Sequence, residues 1–501
     1  MNPLISSLLA TLPREPPPRL IETHISWVIL AGGFAYKLKK PLDLGFLDFS
    51  TLDKRQACCR EELRLNQRLA PHIYLDVVPV TGTPAAPRLG GDGPVLEWAV
   101  KMRAFPADAT LDREGDIGAG SIDAIADRLA AFHGGLPAVP AGSGHGSLEA
   151  IMAPLQANFT VLGNLAAGQG PEWAALPGLE AWCQAEGRRL APHFAARAAG
   201  GFVRECHGDL HLGNIAWVDG APLIFDAIEF NAGLRCIDVI NELAFLTMDL
   251  AHRGRPDLAW RCLNRYLEGT GDYRGLTALP FYQVYRALVR AKVAAIRAEQ
   301  AGLPPAECLG YLALARSLAT PRPPGLILMH GVSGSGKTWQ SQALLEGLGA
   351  VRLRSDVERK RLFGLAALAG SNAIPGGIYG EEASRHTRQR LLVLARGLLT
   401  AGFRVIVDAT FIRRDWRADF IALARETGVP WCIAACVAPE AVLRQRLAQR
   451  RQRGDDASEA DESVLASQLA ALEPFTPAEQ ARAVTLDDAP VAAIQRMLAT
   501  P

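Results

Sequence analysis

A glycine-rich loop set between a strand and a helix is the feature that most constrains the fold of this chain. Apolar residues 326–330 predict a buried strand, and the next eight residues read Gly-Val-Ser-Gly-Ser-Gly-Lys-Thr before a helical segment begins. Glycines at this spacing let backbone amides curl around a phosphate group, and the positive end of the following helix faces the same point. The residues expected to bind phosphate are Gly331, Ser333, Gly334, Ser335, Gly336, Lys337 and Thr338.

Acidic residues end two other predicted strands of the same region. Asp408 ends a predicted buried strand over residues 404–408, and Asp356 ends another predicted strand over residues 351–356. Strands that alternate with helices and end in acids predict a doubly wound parallel sheet, with ligands bound at the carboxyl ends of its strands. In a loop of this type the lysine reaches the β- and γ-oxygens of a nucleotide, which is the role expected of Lys337. We expect Asp408 to hold magnesium together with Thr338, directly or through water.

A second polar constellation lies near the middle of the chain. Residues 207–214 read His-Gly-Asp-Leu-His-Leu-Gly-Asn and lead into two predicted strands, of which the second ends in Asp226. Phosphoryl transfer needs one carboxylate to orient the attacking hydroxyl, and an amide and a second carboxylate to hold magnesium on the phosphates. The spacing H-x-D-x-x-x-x-N assigns Asp209 to the hydroxyl and Asn214 to magnesium. Asp226 lies where the end of a strand would deliver a second metal ligand. A solvated Asp-rich turn explains three polar groups at this spacing less well.

These two regions resemble two known families. The His-Gly-Asp loop, its asparagine and the later aspartate resemble the aminoglycoside phosphotransferase branch of the protein-kinase-like fold, where Gly replaces the Arg of protein kinases. This resemblance covers residues 1–318. Residues 325–501 resemble small P-loop kinases of the AAA-type ATP-binding, zeta toxin and polynucleotide kinase group. The tandem is similar to a bacterial family of fused phosphotransferase-like and ATP-binding proteins.

The first resemblance implies further site residues. A strand lysine clamps the nucleotide phosphates in this fold, and Lys37 in Ala-Tyr-Lys-Leu-Lys is the matching residue, with Lys39 in reserve and an exposed strand lysine as the alternative. Residues 34–40 are predicted to form a strand whose side chains alternate, so that both lysines share one face and the aromatic and leucine side chains share the other. A helix glutamate pairs with that lysine. Residues 52–69 are predicted to form this helix, which starts near the cap-like residues at 50 and 51. On it Glu62 is preferred to Glu61, although a solvated helix face explains either residue. Asp238 fits a family role in buttressing the catalytic loop, and a plain acid at a helix N-terminus explains it as well. No G-x-G-x-x-G loop precedes Lys37, which departs from protein kinases.

The second resemblance implies an acceptor-binding acid and a lid. Asp356 is the candidate for orienting the acceptor or acting as its base, and a helix N-cap explains the same residue equally well. An arginine-rich segment resembles the lid that closes over the transferring phosphate in small kinases, although a solvated helix face also explains it. Arg450 is the preferred lid residue and Arg446 the second choice. The segment contains Arg444, Arg446, Arg450, Arg451 and Arg453.

Three prolines in residues 317–325 mark the best boundary between domains, because proline disrupts core helices and central strands. The predicted fold class is α/β and α+β in two domains. A bilobal protein-kinase-like phosphotransferase domain is expected over 1–318, with lobes of 1–102 and 103–318. A doubly wound parallel-sheet P-loop kinase domain is expected over 325–501.

Composition narrows the function. The 501 residues carry a net charge of +1, which gives no support for general binding to nucleic acid or anionic membranes. Nine scattered cysteines without a C-x-x-C pair, and no segment of membrane-spanning length, favour a cytoplasmic location. The sequence therefore predicts an ATP- and Mg²⁺-dependent kinase with two ATP sites and a hydroxyl-bearing small-molecule acceptor. The alternatives are a nucleotide-sensing regulatory protein and a nucleic-acid or nucleotide kinase.

Overall fold

The computed structural model describes most of the chain. Outside it lie residues 1, 14, 16, 44, 46, 114–116, 168–169, 372–373, 375–376, 454–456, 487–489 and 500–501, and the side chains of 450–453. The strands are β1 (Arg19–Glu22), β2 (Ser26–Ala31), β3 (Phe34–Lys39), β4 (Tyr74–Thr83), β5 (Ala86–Leu89), β6 (Glu97–Arg103), β7 (Val203–Glu205), β8 (Ile215–Val218), β9 (Ala221–Ile224), β10 (Cys236–Asp238), β11 (Gly325–His330), β12 (Ala350–Arg354), β13 (Arg404–Asp408), β14 (Trp431–Ala435) and β15 (Ala483–Thr485).

The helices cover much of the remaining chain. They are α1 (Pro3–Thr11), α2 (Leu52–Asn66), α3 (Ala119–Gly135), α4 (Leu148–Ala166), α5 (Leu176–Ala199), α6 (Ala232–Arg235), α7 (Val239–His252), α8 (Pro256–Thr270), α9 (Leu279–Ala301), α10 (Ala306–Ala319), α11 (Lys337–Leu348), α12 (Ser355–Leu362), α13 (Glu381–Thr400), α14 (Arg414–Thr427), α15 (Glu440–Arg453), α16 (Glu462–Ala470), α17 (Pro477–Gln480) and α18 (Pro490–Ala499).

The packing of the chain divides it into two compact units. The first comprises residues 1–124, 135–154 and 194–246, and the second comprises residues 125–134, 155–193 and 247–501. The predicted fold class is confirmed, with an antiparallel sheet in the first unit and a parallel sheet in the second. Among the described residues, no helix combines the length and the apolar character needed to span a bilayer.

An antiparallel sheet with the strand order β1-β2-β3-β6-β4-β5 is the centre of the first unit. Side chains alternate across β3, so Tyr36 and Leu38 lie on one face, in the hydrophobic cluster that α1 helps to form. Lys37 and Lys39 lie on the opposite face, where both contact Glu62 of α2. The alternation predicted for this strand is confirmed, and it turns both lysines towards one helix.

Helix α2 begins close to where the sequence predicts. The hydroxyl of Thr51 accepts the backbone N–H of Lys54 at 3.3 Å, which satisfies one of the free amides of the first turn. The helix ends at Asn66, three residues before the predicted end. Glu62 and Asn66, one turn apart, are both buried, so this helix turns polar side chains inward.

A β-hairpin follows the His-Gly-Asp loop, as predicted. Strands β8 and β9 pair antiparallel, with Ile215 opposite Ile224 at the open end. At the closed end, Asp219 and Gly220 have φ values of 51° and 76°, the two positive angles that a type I′ turn requires. The hairpin therefore brings Asn214, which precedes it, and residues 225–226, which follow it, to the same end of the strand pair.

A parallel sheet with the strand order β12-β13-β11-β14-β15 is the centre of the second unit. The central strand β11 is buried at every position, because helices cover both of its faces. One core cluster joins β11 to α11 and α18, and Trp260 of α8 packs against that cluster. The doubly wound sheet predicted for this region is confirmed. The domain boundary predicted at 318–325 stays a prediction, since α8, α9 and α10 pack in the second unit.

Candidate functional site

The first candidate site is built around Lys37. Its ammonium nitrogen lies 2.8 Å from Glu62 Oε1 and 2.5 Å from Asp226 Oδ1. Burial opposes the charge of Lys37, but Asp226 and Glu62 outweigh it and raise the pKa of the lysine well above its usual value. The structure thus brings together the predicted lysine, the preferred helix glutamate and the predicted metal-binding aspartate. The lysine is held charged, as a phosphate clamp requires.

Lys39 completes a cluster of four buried charges with Lys37, Glu62 and Glu229. Its ammonium contacts both Glu62 and Glu229. Burial favours neutral Glu62, yet the two lysines prevail and lower its pKa to about 2. Burial and the neighbouring Glu62 raise the pKa of Glu229 above its usual value. The reserve candidate Lys39 is fully buried, so it holds the segment after Asp226 to α2 rather than facing a ligand.

Asp209 and Asn214 lie together in the loop before the hairpin. The amide of Asn214 donates to the backbone oxygen of Asp209 at 2.9 Å and to its Oδ2 at 3.2 Å. His211 Nε2 lies 3.5 Å from the same carboxylate oxygen. The backbone N–H of Phe225 donates to the Asn214 oxygen at 3.0 Å, so Asn214 and Asp226 flank the same end of the hairpin. The carboxylate of Asp209 is 37% exposed, which leaves it open to an incoming hydroxyl.

Glu242 supports this loop from beneath. One of its carboxylate oxygens accepts the backbone N–H groups of His207 and Gly208, each at 2.7 Å. The sequence did not point to Glu242, because no local pattern distinguishes it from other acids early in a helix. Asp238, the residue predicted for this role, instead receives two hydrogen bonds from Arg197, at 2.5 and 2.7 Å. The contacts from the first turns of α7 to the loop therefore come from Glu242.

A glycine is required in the loop at position 208. Gly208 has a φ of 90°, and a β-carbon there would lie 2.9 Å from the backbone oxygen of Leu234. Nε2 of the neighbouring His207 donates to the backbone oxygen of Phe225 at 2.8 Å, which ties the loop to the hairpin. Burial lowers the pKa of His207, so the ring is neutral at physiological pH. This loop has glycine where protein kinases have arginine because a side chain at this position would clash with the backbone of Leu234.

Asp226 adopts a left-handed backbone conformation with a φ of 65°. Its backbone N–H donates to the hydroxyl of Tyr74 at 3.2 Å, and the next N–H, of Ala227, donates to Asn66 Oδ1 at 2.9 Å. Non-glycine residues adopt such angles at a cost of about 1 kcal/mol or more, and they persist where surrounding contacts enforce them. Tyr74 and Asn66 supply those contacts and aim the carboxylate at Lys37.

The second candidate site is the loop between β11 and α11. Gly331, Gly334 and Gly336 have φ values of 143°, 82° and 94°. A β-carbon at Gly331 would lie 2.5 Å from the backbone oxygen of Cys436, and one at Gly334 would lie 2.8 Å from that of Leu443. The amine of Lys337 donates to the Val332 oxygen at 2.9 Å, across the loop. The loop thus has the compact curl that turns backbone amides towards a phosphate.

Oxygen ligands for a divalent cation lie beside this loop. Thr338 Oγ1 lies 3.1 Å from Asp408 Oδ2, and the hydroxyl of Ser341 lies 3.4 Å from the same oxygen. Asp408 ends β13 directly opposite Arg354 of β12. A hydroxyl and a carboxylate beside a phosphate site form the donor set that Mg²⁺ prefers, so these residues fit the ion that the sequence implies. Ser333 and Ser335 lie in the same loop, and the backbone N–H of Ser333 donates to Gln468 Oε1 at 2.7 Å.

A cavity of about 1100 Å³ opens from this loop within the second unit. Its lining includes Lys337, Thr338, Asp356, Arg359 and Asp408. Asp356 lies in the first turn of α12, whose N-cap is the residue at 354, and no side chain caps that helix. The N-cap explanation of Asp356 is therefore wrong. The aspartate lines the same cavity as the glycine-rich loop.

The predicted lid is described in part. Arg446 lines the cavity, and its Nη1 donates to the Gly334 oxygen at 3.3 Å. Arg444 instead pairs on the surface with Glu440, at 2.7 Å. The preferred lid residue, Arg450, has a side chain outside the described residues, so its role stays a prediction. Arg446 is the described arginine of this helix that contacts the phosphate loop.

Comparisons with known proteins match both parts of the chain. Residues 326–475 match a family model described as an AAA domain. The uncharacterized protein Rv2004c of Mycobacterium tuberculosis is 32% identical over 454 residues, which are 90% of this chain and 89% of that protein. A sugar kinase from Janibacter sp. HTCC2649 is 23% identical over 36% of this chain and 94% of its own, with a TM-score of 0.27. A choline/ethanolamine kinase family protein from Mesorhizobium loti is 12% identical over 62% of this chain and 92% of its own, with a TM-score of 0.37.

Proposed function

We propose that this chain, which belongs to the same family as the mycobacterial protein Rv2004c, is a magnesium-dependent phosphotransferase that transfers phosphate from ATP to a hydroxyl group of a small molecule. We place ATP at two sites, one in each unit. The observation that carries this proposal is the contact of Lys37 with both Glu62 and Asp226, next to a hairpin that presents Asn214 and Asp209. Phosphoryl transfer requires such a set of groups: a buried lysine–glutamate pair, two oxygen ligands and a carboxylate that is partly exposed.

In the first unit each side chain has a distinct task. Lys37 binds the phosphate oxygens, and Glu62 holds it in place. Asn214 and Asp226 would hold magnesium, which would neutralise the charge that develops on the transferring phosphoryl group. Asp209 orients the acceptor hydroxyl and receives its proton, and the bond from Asn214 keeps its carboxylate turned to the site. Glu242 holds the backbone on which Asp209 stands.

In the second unit the same tasks fall to different residues. The amides of the loop at 331–336 and Lys337 bind the β- and γ-phosphates, while Thr338 and Asp408 serve as the magnesium ligands. Asp356, which lines the same cavity, orients the acceptor. Arg446 supports the loop, and Arg450 is proposed to close over the transferring group.

The acceptor of the second unit is proposed to carry an anionic group. Arg359 lines the cavity three residues after Asp356 and is 7% exposed. Its Nη1 donates to the Ile378 oxygen and to Ser384 Oγ, but its Nε has no hydrogen-bond partner among the described residues. Burial lowers the pKa of this guanidinium, so a carboxylate or phosphate on the acceptor would relieve its desolvation.

A metabolite panel scored by ADP release tests the proposal in both units. We expect wild-type protein to release ADP only when a suitable hydroxyl compound is present. Asp209→Asn should lower turnover at the first site about a hundredfold with nearly unchanged ATP affinity, and Lys337→Ala should abolish turnover at the second. Turnover that survives both changes would disprove the proposal. Tight ATP binding without acceptor-dependent release would instead support a nucleotide sensor.

The anionic acceptor has its own test within that panel. Hydroxy acids and phosphorylated alcohols should be better acceptors than their neutral amide or unphosphorylated analogues. Arg359→Met should raise the KM for the anionic acceptor about tenfold or more while leaving the KM for ATP unchanged. An equal preference for the neutral analogues would show that Arg359 binds no acceptor charge.

A further inference from the structure

Helix α8 closes an open edge of the parallel sheet through one asparagine. Strand β12 is an edge strand of that sheet, so it has unpaired backbone groups. Asn264 of α8 is 2% exposed, and its amide donates to the Ala350 oxygen at 2.9 Å. Its Oδ1 accepts the backbone N–H of Arg352 at 2.7 Å. A carboxamide thus replaces the strand that is missing beside β12 and fixes α8 at a defined register.

One turn further along α8, a buried acid grips two arginines of the same strand. Glu268 accepts from Arg352 Nη2 at 2.7 Å and from its Nε at 3.1 Å, and Arg354 Nη1 lies 3.4 Å from its other oxygen. Glu268 and Arg352 are 4% and 5% exposed. Burial opposes the charge of Glu268, but the two arginines keep its pKa below the usual value. A buried ion pair needs several such hydrogen bonds to offset the loss of hydration.

A third nitrogen of the Arg352 side chain, Nη1, contacts helix α11 beside the proposed magnesium ligands. Its Nη1 donates to the backbone oxygen of Thr338 at 3.2 Å and to Ser341 Oγ at 3.1 Å. The hydroxyls of Thr338 and Ser341 both lie within 3.4 Å of the same oxygen of Asp408. The chain of contacts therefore runs from Glu268 through Arg352 to the residues proposed to hold the ion.

We infer that Glu268 is a positioning residue of the magnesium site in the second unit, acting through Arg352 on Thr338, Ser341 and Asp408. The inference rests on the proposed binding of magnesium–ATP at this loop. Partners of metal ligands orient them, and removing such a partner lowers metal affinity about tenfold to a hundredfold. Helix α8, which lies far from the glycine-rich loop in the sequence, thus contributes to the function of that loop.

The test measures ATP binding rather than turnover. In the full-length protein, ATP affinity is measured by titration calorimetry with saturating Mg²⁺ and again with EDTA, and binding lost in Lys337→Ala defines the second site. Mg²⁺ should strengthen ATP binding, and we expect Glu268→Ala to reduce this strengthening about tenfold. The affinity for ATP in EDTA should change less than about twofold. Ser341→Ala should show a smaller loss of the same kind. A loss of metal-free affinity equal to the loss with Mg²⁺ would contradict the inference.

A second ion pair between α8 and α11 provides the matched control. Arg261 Nη1 lies 2.8 Å from Glu346 Oε1, and neither residue has a described contact with Asp408. Glu346→Ala should leave the Mg²⁺ effect unchanged. If it weakens that effect as much as Glu268→Ala does, the effect arises from helix docking in general, and the inference is wrong.

Two further outcomes separate the possible failures. Should Glu268→Ala fail to fold, Glu268→Gln keeps the shape and removes the charge, and an unchanged Mg²⁺ effect in both Glu268→Gln and Ser341→Ala would overturn the inference. If Lys337→Ala leaves ATP binding unchanged, the proposed nucleotide site itself is wrong. An effect of Lys337→Ala without any effect at Glu268 would remove only the positioning role.

Discussion

Lys37 and Lys39, two lysines of strand β3, differ in the acidic residues that they contact. Lys39 contacts Glu62 and the buried Glu229, whereas Lys37 contacts Glu62 and the half-exposed Asp226. Without Lys39, the buried carboxylate of Glu229 loses the cation with which it forms its described ion pair. Removing Lys37 still leaves Lys39 to neutralise Glu62. The position of each lysine therefore predicts a different defect.

We expect Lys39→Met to lower the free energy of unfolding by about 3 kcal/mol, because it leaves a buried carboxylate uncompensated. Lys37→Met should cost less stability but weaken ATP binding at the first site about tenfold or more. Urea unfolding and nucleotide titration of the two variants separate these effects. The assignment would fail if Lys39→Met were the variant that lost ATP affinity at unchanged stability.

A buried histidine beside the glycine-rich loop predicts a pH dependence of stability. The ring of His330 packs 4.5 Å from that of Phe475, and neither ring nitrogen has a hydrogen-bond partner among the described residues. Burial, Arg417 and Lys337 lower its pKa to about 4. Since the unfolded histidine titrates near 6.5, the unfolded state binds more protons between these values. The stability contribution of neutral His330 is therefore complete above pH 6.5 and is lost as the pH falls towards 4.

We expect the unfolding free energy of the second unit to fall with a slope of up to about 1.4 kcal/mol per pH unit in this window. His330→Phe keeps an aromatic ring of similar size and should flatten the slope. Urea unfolding at pH 7 and pH 5 measures both proteins. Identical slopes would mean that other groups dominate the acid response.

At the scale of elements, the glycine-rich loop depends on a close approach between main chains. A β-carbon at Gly334 would meet the Leu443 oxygen at 2.8 Å, whereas one at Gly402, with nearly the same φ, would meet nothing within 4 Å. Gly402→Ala should therefore cost only the conformational penalty of about 1 kcal/mol. Gly334→Ala should cost more and abolish ATP binding at the second site. Nucleotide titration and thermal unfolding compare the two. Equal effects would show that the close approach is unimportant.

Elements with a strong local pattern were predictable from the sequence. The buried run of β11, the alternation of β3 and the spacing of Asp209 and Asn214 each depend on neighbouring residues, and the structure has these elements where they were expected. Partners chosen over long distances were not predictable. Glu229, Glu242 and Glu268 are ordinary acids in the sequence, and only folding shows which lysine, amide or arginine each one meets. The lid arginine Arg450 stays a prediction because its side chain lies outside the described residues.

For the whole molecule, the two candidate sites predict a binding stoichiometry. With Mg²⁺ present, we expect two ATP molecules per chain, because Lys37 and Lys337 each serve a separate set of oxygen ligands. Lys337→Ala should leave one ATP molecule bound, Lys37→Met should leave one, and the double variant should bind none. Titration calorimetry counts the sites. A single ATP in the wild-type protein would restrict the nucleotide chemistry to one unit.

The packing of α8 predicts where the second unit can be cut. A chain of residues 325–501 would expose the edge of β12 that Asn264 covers and the apolar cluster that Trp260 covers. A chain of residues 256–501 keeps both. We expect the longer chain to melt about 10 °C or more above the shorter one, since several buried contacts are lost together. Thermal unfolding of the two chains decides. Equal melting temperatures would favour the boundary expected at 318–325.

The contact between Lys37 and Asp226 gives the first site a preference among forms of its substrate. Lys37 and Asp226 form an ion pair, so each of them neutralises charge on the other. Magnesium–ATP offers both of them a replacement at once, since a phosphate oxygen can take the ammonium while the metal takes the carboxylate. Bare ATP can satisfy the lysine only, and its own negative charge would then repel a stranded aspartate. The first site should therefore bind magnesium and ATP together as a complex. It should discriminate against ATP without magnesium before any chemistry begins.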